Sequence, residues 1–290
     1  MYDLKEHQSA LDLDGQIDNL IETGLVIGDP DYAKRILNDI SYFRLIKAFG
    51  LGLKPRNGVY KGVTFEQIVR LYNFNCNLRQ LIFPAIEAIE INLRCRVANY
   101  FSTKYGCFGY NDSQNFSSAP FHAEFIEDIA VEVSRNKRSP FISNFQNNYI
   151  GGEIPLYALI ELFSFGLLSK FYKNMKNEDK KEVAKSFGIG YTYLESWIES
   201  IAFVRNICAH YGRLYNAKLT KTPILYSQYC GISNYRIFGV LLCIKHILNG
   251  RESWREFSSN LISLMEKYDE VELDKMGFPE NWFALLDVDS

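Results

Sequence analysis

Apolar side chains recur at helical spacing along most of this chain, and this periodicity constrains the fold more than any other feature of the sequence. The clearest example begins at Thr64-Phe-Glu-Gln67, which has the spacing of a capping box, with a hydroxyl at the cap and Gln three residues later. Apolar residues then recur about every 3.6 positions, and the period continues after Pro84 to Phe101. The sequence has no alternating strand pattern of useful length. It therefore predicts an all-α protein.

Shorter helices are predicted on both sides of this region. Asp14 is a candidate cap for a helix that carries Ile17 and Leu20 and ends at Gly24, and Pro30 opens a second helix that runs to Ile40. Two further helices are predicted after Tyr235, and the remaining ones are His122–Arg135, Pro155–Met175, Glu178–Ser186 and Tyr191–His210. Loops rich in Gly, Pro and Asn are expected at Gly50–Gly62 and Gly106–Pro120. We predict an N-terminal helical segment (1–62), a helical core (63–220) and a C-terminal helical extension (221–290).

Composition and cysteine spacing indicate a soluble protein without a metal site. Apolar residues make up 47% of the 290 residues and charged residues 23%, which is ordinary for a globular chain. The six cysteines form no C-x-x-C pair, so neither a structural metal nor another cofactor is expected. Met1–Asp14 is too polar for a signal peptide, and Ile237–Leu248 is short and interrupted by Lys245. We expect a cytoplasmic protein that does not bind membranes.

Charge is distributed unevenly along the chain. Ser200–Arg251 contains no Asp or Glu but holds seven of the 32 Lys and Arg residues, which leaves 25 basic against 34 acidic residues elsewhere. The seven basic residues are Arg205, Arg213, Lys218, Lys221, Arg236, Lys245 and Arg251. A basic segment on an acidic body favours binding of a polyanion such as a nucleic acid.

A helical wheel of the last predicted core helix separates two faces. At 100° per residue, one arc about 80° wide is the expected core stripe; it holds Trp197, Ile201, Val204, Cys208 and Tyr211. The opposite face holds Glu199, Phe203, Asn206 and His210. Asn206 and His210 are four residues apart, so they lie next to each other on that face.

Arg205 lies about 140° from His210 on an ideal helix. The two side chains meet only if the long Arg reaches round, if the helix ends near His210, as Gly212 suggests, or if a second copy supplies one of them. We therefore predict a homodimer with Phe203 and Glu199 at its interface. The alternative is structural, because an Arg and a His near a helix end can simply bind the last carbonyl groups.

Arg205-Asn-Ile-Cys-Ala-His210 matches the R-N-x-x-x-H motif of HEPN domains, which are helical and often metal-independent ribonucleases. Arg205–Asn216 also resembles the signature of the Abi family (AbiD/AbiF-like) of abortive-infection proteins. Further matching stretches are Gln16–Asp29, Ser41–Leu45, Thr64–Tyr72, Leu78–Arg79, Ile86–Arg94, Lys104–Gly106 and Ser164–Tyr172. The resemblance covers roughly residues 10–220, and one departure is Phe43, where the family more often has Tyr.

The resemblance implies a HEPN-like helical bundle and a ribonuclease of phage defence or toxin type. The ribose 2′-hydroxyl of the RNA would attack its own phosphate without a metal. His210 would act as general acid or base, Arg205 would hold the phosphate, and Asn206 would position His210 or a phosphate oxygen. An RNA or protein antitoxin is a possible further partner. The alternative function is a non-catalytic HEPN-like module that binds RNA or senses a phage component.

Other polar residues are weaker candidates. Arg213 and Asn216 either contact RNA or cap the helix, and Lys218 and Lys221 are further RNA-binding candidates. Glu90 and Arg94 have the spacing of an ion pair on a helix face. The lysines between 170 and 185 alternate with acids, which favours a solvated face over an RNA track. The three remaining histidines are predicted to be ordinary structural residues: His7, His122 and His246.

Overall fold

A computed structural model describes residues 9–54 and 58–287, and the regular elements in that part of the chain are helices. The predicted all-α class is thus confirmed. Residues 1–8 of the predicted polar start lie outside the described residues, and His7 is one of them. Residues 55–57 of the predicted first loop also lie outside.

The α-helices are α1 (Leu13–Glu22), α2 (Pro30–Asp39), α3 (Phe65–Tyr105), α4 (Ala119–Arg135), α5 (Pro140–Asn148), α6 (Leu156–Leu159), α7 (Phe165–Asn174), α8 (Asn177–Lys185), α9 (Tyr191–Ala209), α10 (Ile237–Leu248), α11 (Glu252–Lys267) and α12 (Trp282–Leu286). A π-helix spans Phe43–Gly50. Two compact units are formed by the described residues of Met1–Leu78 with Leu264–Val271, and of Arg79–Ser263 with Glu272–Ser290. The described candidate site residues lie in the second unit.

Local capping interactions define the helices of the first unit. The Asp12 carboxylate accepts a hydrogen bond from the Gly15 N–H at 2.8 Å, so the prediction that Asp14 caps α1 was wrong. Asp12 has the extended backbone that a cap requires, whereas Asp14 already lies in the first helical turn. Gly24 follows the end of α1 with a φ of 83°, as predicted for a left-handed terminating residue.

Helix α3 begins with the predicted capping box and continues without interruption through Pro84. The Thr64 N–H donates to Gln67 Oε1 at 2.9 Å, and the Gln67 N–H donates to Thr64 Oγ1 at 3.2 Å. This reciprocal pair satisfies two of the backbone donors that a helix start leaves without partners. The apolar period on both sides of Pro84 therefore belongs to one helix.

The structure departs from the predicted helix over Pro155–Met175. Helix α6 runs only to Leu159, a 3-10 turn follows, and Phe163 is extended. Ser164 then caps α7 by accepting the Leu167 N–H at 3.2 Å. A hydroxyl that competes for backbone donors favours this break. Helices α5 and α12 were also not predicted.

Aromatic side chains fill the core around α7. The Phe171 ring lies 5.0–5.4 Å from the rings of Phe101, Phe116 and Phe125. The predicted core stripe of α9 is buried at four of its five positions, which are Trp197, Ile201, Val204 and Cys208, and the Trp197 ring packs against Tyr226 and His246. Burial of each large apolar side chain stabilises the fold by about 1.5–3 kcal/mol, and this packing holds α9 in place.

A buried carboxylate joins α8 to α3. Asp179 is 0% exposed and accepts hydrogen bonds from the Tyr100 hydroxyl at 2.9 Å, the Tyr105 hydroxyl at 2.8 Å and Lys104 Nζ at 2.5 Å. Burial, followed by the hydrogen bond to Asp179, raises the pKa of Tyr100 to about 12. The alternating charges around residues 170–185 gave no indication of this buried group.

Helix α10 is a buried core helix, as its apolar sequence predicted. Its Lys245 is buried as well, where Nζ donates to the Leu285 carbonyl at 2.8 Å and pairs with Asp287 at 2.5 Å. Among the described residues, no helix combines the length and the apolar character that crossing a membrane requires.

Candidate active site at the end of helix α9

Backbone hydrogen bonds at the end of α9 form a Schellman motif around His210. The Gly212 N–H donates to the Ile207 carbonyl at 2.7 Å, and the Tyr211 N–H donates to the Cys208 carbonyl at 3.2 Å. His210 is the C-terminal cap, with φ −99° and ψ 20°, and its own N–H donates to the Asn206 carbonyl at 3.0 Å. The helix therefore ends at His210, as Gly212 suggested in the sequence.

Tyr211 takes the left-handed conformation that usually falls to Gly in this motif. Its φ is 58°, and 68% of its surface is exposed. Its predicted place in the core stripe was therefore wrong, because the chain reverses before the helical register can carry Tyr211 inward. Gly212 meets another requirement, since a Cβ atom on it would lie 2.8 Å from Ile207 Cγ2.

Asn206 and His210 are both exposed on the terminal turn of α9, on the face that the helical wheel assigned to them. Phe203 and Glu199, on the same face, are half-buried. Glu199 accepts a hydrogen bond from Lys221 at 2.7 Å and pairs with Lys173 at 3.6 Å. The bond from Lys221 is the main cause that lowers the pKa of Glu199.

Arg205 is held from the side by α3. Its Nε lies 3.8 Å from Glu90 Oε2, and its guanidinium carbon lies 5.8 Å from the centre of the Phe83 ring. The side chain is 32% exposed, and its Nε is buried without a hydrogen-bond partner. A separation of 3.8 Å allows charge attraction but is too long for a hydrogen bond.

Glu90 lies between two guanidinium groups. Its side chain is 11% exposed, and its Oε1 accepts from Arg94 Nη2 at 2.5 Å. Arg94 Nη2 also donates to the Phe163 carbonyl at 2.5 Å. The ion pair predicted from the four-residue spacing is thus confirmed, and it is largely buried. The part that sequence reasoning missed is the third member, Arg205. The available signal in the sequence was the position of Glu90 among the apolar residues between Ile86 and Leu93, which indicates a buried acid that needs a cationic partner.

The RNA-binding candidates occupy different environments. Asn216 Oδ1 accepts from Arg236 Nη1 at 3.1 Å, and Lys221 is paired with Glu199. Lys218 is exposed, and Arg213 is half-buried, with its pKa lowered by burial and then by the nearby charge of Arg236. Arg79, which the sequence analysis gave only as part of a matching stretch, donates from Nη1 to the Gly212 carbonyl at 3.0 Å.

The acid-free stretch of the sequence does not remain acid-free in space. Three of its cations pair with acids from other parts of the chain: Arg205 with Glu90, Lys221 with Glu199, and Lys245 with Asp287. A fourth, Arg251, donates to Asn92 Oδ1 at 2.8 Å. Three of the seven positive charges of this stretch are therefore paired with acids within the fold.

The solvated-face interpretation holds for Lys170 and Lys173, which are exposed, but it was wrong for Lys180, which is buried. They pair with neighbouring acids on other turns or helices: Lys170 with Asp128, Lys173 with Glu199, and Lys180 with Glu195. These pairs compete with any contact to RNA phosphates. Among the described residues, no three His, Cys, Asp or Glu side chains are grouped as metal ligands would be.

His122 and His246 contribute to the core, as predicted for ordinary histidines. His122 Nε2 lies 2.8 Å from the Tyr110 carbonyl oxygen. The His246 ring stacks on Trp197 of α9 at 5.6 Å, and its Nε2 lies 2.8 Å from the Tyr229 hydroxyl. Burial lowers the pKa of His246. Of the described histidines, His210 is the exposed one at the candidate site.

A family model described as Abi-like protein matches residues 35–216, more than half of the chain, including the whole stretch from α3 to the end of α9. The chain belongs to the Abi-like family. No curated protein and no solved structure matched it. Membership indicates a role in abortive infection, a form of phage defence, and is consistent with a nuclease.

Proposed function

We propose that this Abi-like protein is a HEPN-type endoribonuclease that cleaves RNA without a metal cofactor. One observation carries the proposal: Arg205, Asn206 and His210 lie within the six residues at the C-terminal end of α9. The amide and the imidazole there are exposed, and the guanidinium is partly exposed and held by Glu90. These groups supply a proton carrier, a polar positioning group and a phosphate-binding cation within six residues.

The nucleophile in this reaction comes from the RNA itself. The ribose 2′-oxygen attacks the adjacent phosphorus, a new O2′–P bond forms, and the P–O5′ bond breaks. The neutral imidazole of His210 accepts the 2′-hydroxyl proton, and an imidazolium donates a proton to the leaving 5′-oxygen. Arg205 binds the non-bridging phosphate oxygens as charge develops on them. The products are a 2′,3′-cyclic phosphate and a 5′-hydroxyl.

A homodimer would bring Arg205 of one copy to His210 of the other. Within one chain Arg205 lies against Glu90 and Phe83 on α3, whereas His210 caps α9. An isologous contact through the face of Glu199 and Phe203 would bring two copies of Arg205 and His210 to one cleft. Half-buried Phe203 would provide the apolar part of that contact.

The test is cleavage of a defined RNA by the purified protein in EDTA. Cleavage should persist, leave 2′,3′-cyclic phosphate ends and spare DNA of the same sequence, because DNA lacks the 2′-hydroxyl. Loss of activity in EDTA that Mg²⁺ or Mn²⁺ restores would refute the mechanism.

Variants of His210 and Arg205 make the test specific. His210→Ala should lower the cleavage rate about 10²- to 10⁴-fold, and Arg205→Lys should also fail, since an ammonium cannot make the bidentate phosphate contact. Thr192→Ala, an exposed change at the other end of α9, is the matched control and should cleave normally. Equal rates for His210→Ala and Thr192→Ala would remove His210 from the mechanism.

One observation favours the second candidate, RNA binding without cleavage. Arg205 already has an acidic partner and an aromatic neighbour in its own chain, as expected of a structural residue. Two results together would support this alternative: the wild-type protein yields no cleavage product, and the His210→Ala variant still binds RNA.

A further inference from the structure

Tyr211 combines two properties that are rarely found together. It is an aromatic residue with a φ of 58°, and 68% of its surface is exposed. Gly is the usual residue at this position of a Schellman motif because it adopts the left-handed region without steric cost. A bulky residue there is an outlier whose cost persists only where other interactions impose it, and such outliers concentrate at functional sites.

The position of Tyr211 relative to the candidate catalytic group is fixed by the cap. His210 is the C-terminal cap and Tyr211 is the next residue, so their Cα atoms are about 3.8 Å apart. Both side chains are exposed at the point where the chain reverses. The Tyr211 ring is therefore the exposed aromatic group next in the chain to the imidazole that a phosphate would reach.

An exposed aromatic ring and a phosphate-binding cation in one site are the combination that holds single-stranded nucleic acid. The cation attracts the backbone, and the ring stacks on a base of any sequence. Here Arg205 is the cation, and Tyr211 follows it by six residues on the same helix end. A base can stack on the ring only if it is unpaired and turned out of a duplex.

From these observations we infer that Tyr211 is a positioning residue that stacks on an unpaired base next to the scissile phosphate. This inference rests on the proposed ribonuclease function and names its substrate as RNA that is single-stranded at the cleavage point. Stacking holds the ribose so that its 2′-oxygen faces His210. The hydroxyl of Tyr211 has no part in this role.

The experiment compares Tyr211→Phe and Tyr211→Gly with the wild type on a short single-stranded RNA. Tyr211→Phe should cleave at the wild-type rate. Tyr211→Gly should lose roughly 5- to 150-fold in kcat/KM, the range for one base–aromatic stack. Its thermal midpoint should stay the same or rise, because Gly adopts the left-handed backbone without strain. Tyr157→Ala, which removes another exposed Tyr of the same unit, should have no effect.

A second arm identifies the base. The two proteins compared are the cleavage-inactive His210→Ala variant and the same variant with Tyr211→Gly. Their binding is measured to a series of RNAs, each with one abasic nucleotide at a different position. One abasic position next to the cleavage point should weaken binding to the Tyr211 protein and leave binding to the Gly variant unchanged. If each abasic RNA binds the Tyr211 protein and the Gly variant with the same loss of affinity, whatever the position, the inference is overturned.

The outcomes separate the two proposals. Normal wild-type cleavage with full activity of Tyr211→Gly overturns the stacking role and leaves the ribonuclease function intact. A loss of activity that accompanies a lower molecular mass of Tyr211→Gly in light scattering also overturns it, because Tyr211 would then be an assembly contact. A wild-type protein that cleaves no RNA overturns both.

Discussion

Glu90→Gln tests whether the buried carboxylate on α3 holds Arg205 at the end of α9. The substitution keeps the size of the side chain and removes the negative charge between two guanidinium groups. We take an effective dielectric constant of about 20. Glu90 and Arg205 are 3.8 Å apart, which gives an attraction of about 4 kcal/mol. Glu90 and Arg94 are 2.5 Å apart, which gives about 7 kcal/mol.

The net loss is smaller, because burying the carboxylate itself costs free energy. Removing one partner of a buried ion pair typically costs about 3–5 kcal/mol. Arg205 is 32% exposed and keeps its contact with water, and Arg94 keeps its hydrogen bond to the Phe163 carbonyl. Neither cation is therefore left without a polar partner. We therefore expect Glu90→Gln to lower the free energy of unfolding by about 2–4 kcal/mol, and RNA cleavage should fall with it as Arg205 loses its fixed position.

Urea unfolding followed by circular dichroism measures the effect as a shift of the midpoint at constant slope. Glu87→Gln, an exposed acid on the preceding turn of α3, is the matched control and should change stability by less than about 0.5 kcal/mol. A double-mutant cycle with Arg205→Ala isolates the pair, and the two changes should be non-additive. Equal midpoints for Glu90→Gln and Glu87→Gln would refute the reasoning.

Three further predictions concern the fold, the pH dependence and the assembly. Asp179→Asn should cost about 3–5 kcal/mol in thermal or urea unfolding, because the neutral amide removes the charge that pairs with Lys104 and replaces one of the two oxygens that accept from Lys104 and two tyrosine hydroxyls by an N–H donor. Exposed Glu182→Gln should be neutral. Burial lowers the pKa of His246, so the unfolded state takes up the proton more readily than the folded state. The difference in unfolding free energy between wild type and His246→Gln should therefore be full above about pH 6.5 and decrease as the pH falls below it. A difference that does not depend on pH would contradict this. Mixing inactive Arg205→Ala and His210→Ala chains should restore part of the cleavage activity if one cleft takes Arg from one copy and His from the other; a fully active monomer in light scattering would exclude a shared cleft.

The sequence alone determined the features that depend on near neighbours in the chain. The capping box at Thr64, the stop at Gly24 and the buried face of α9 through Val204 all follow from spacings of a few residues, since caps and helical faces are local. The exposure of Asn206 and His210 on one face followed from the same four-residue rule. The R-N-x-x-x-H motif is equally local, so the candidate site was visible before its surroundings were.

Only the tertiary structure decided which distant groups surround that site. Glu90 and Arg205 are more than a hundred residues apart, and helical spacing says nothing about which faces of α3 and α9 meet. Pairing of three cations of the acid-free stretch with acids such as Asp287 could not be predicted for the same reason. Tyr211 left its expected core position because the bonds of the Schellman motif reverse the chain one residue earlier than the helical register. Local pattern specifies which face of a helix is buried, but the partner of each charge depends on packing between elements far apart in the chain.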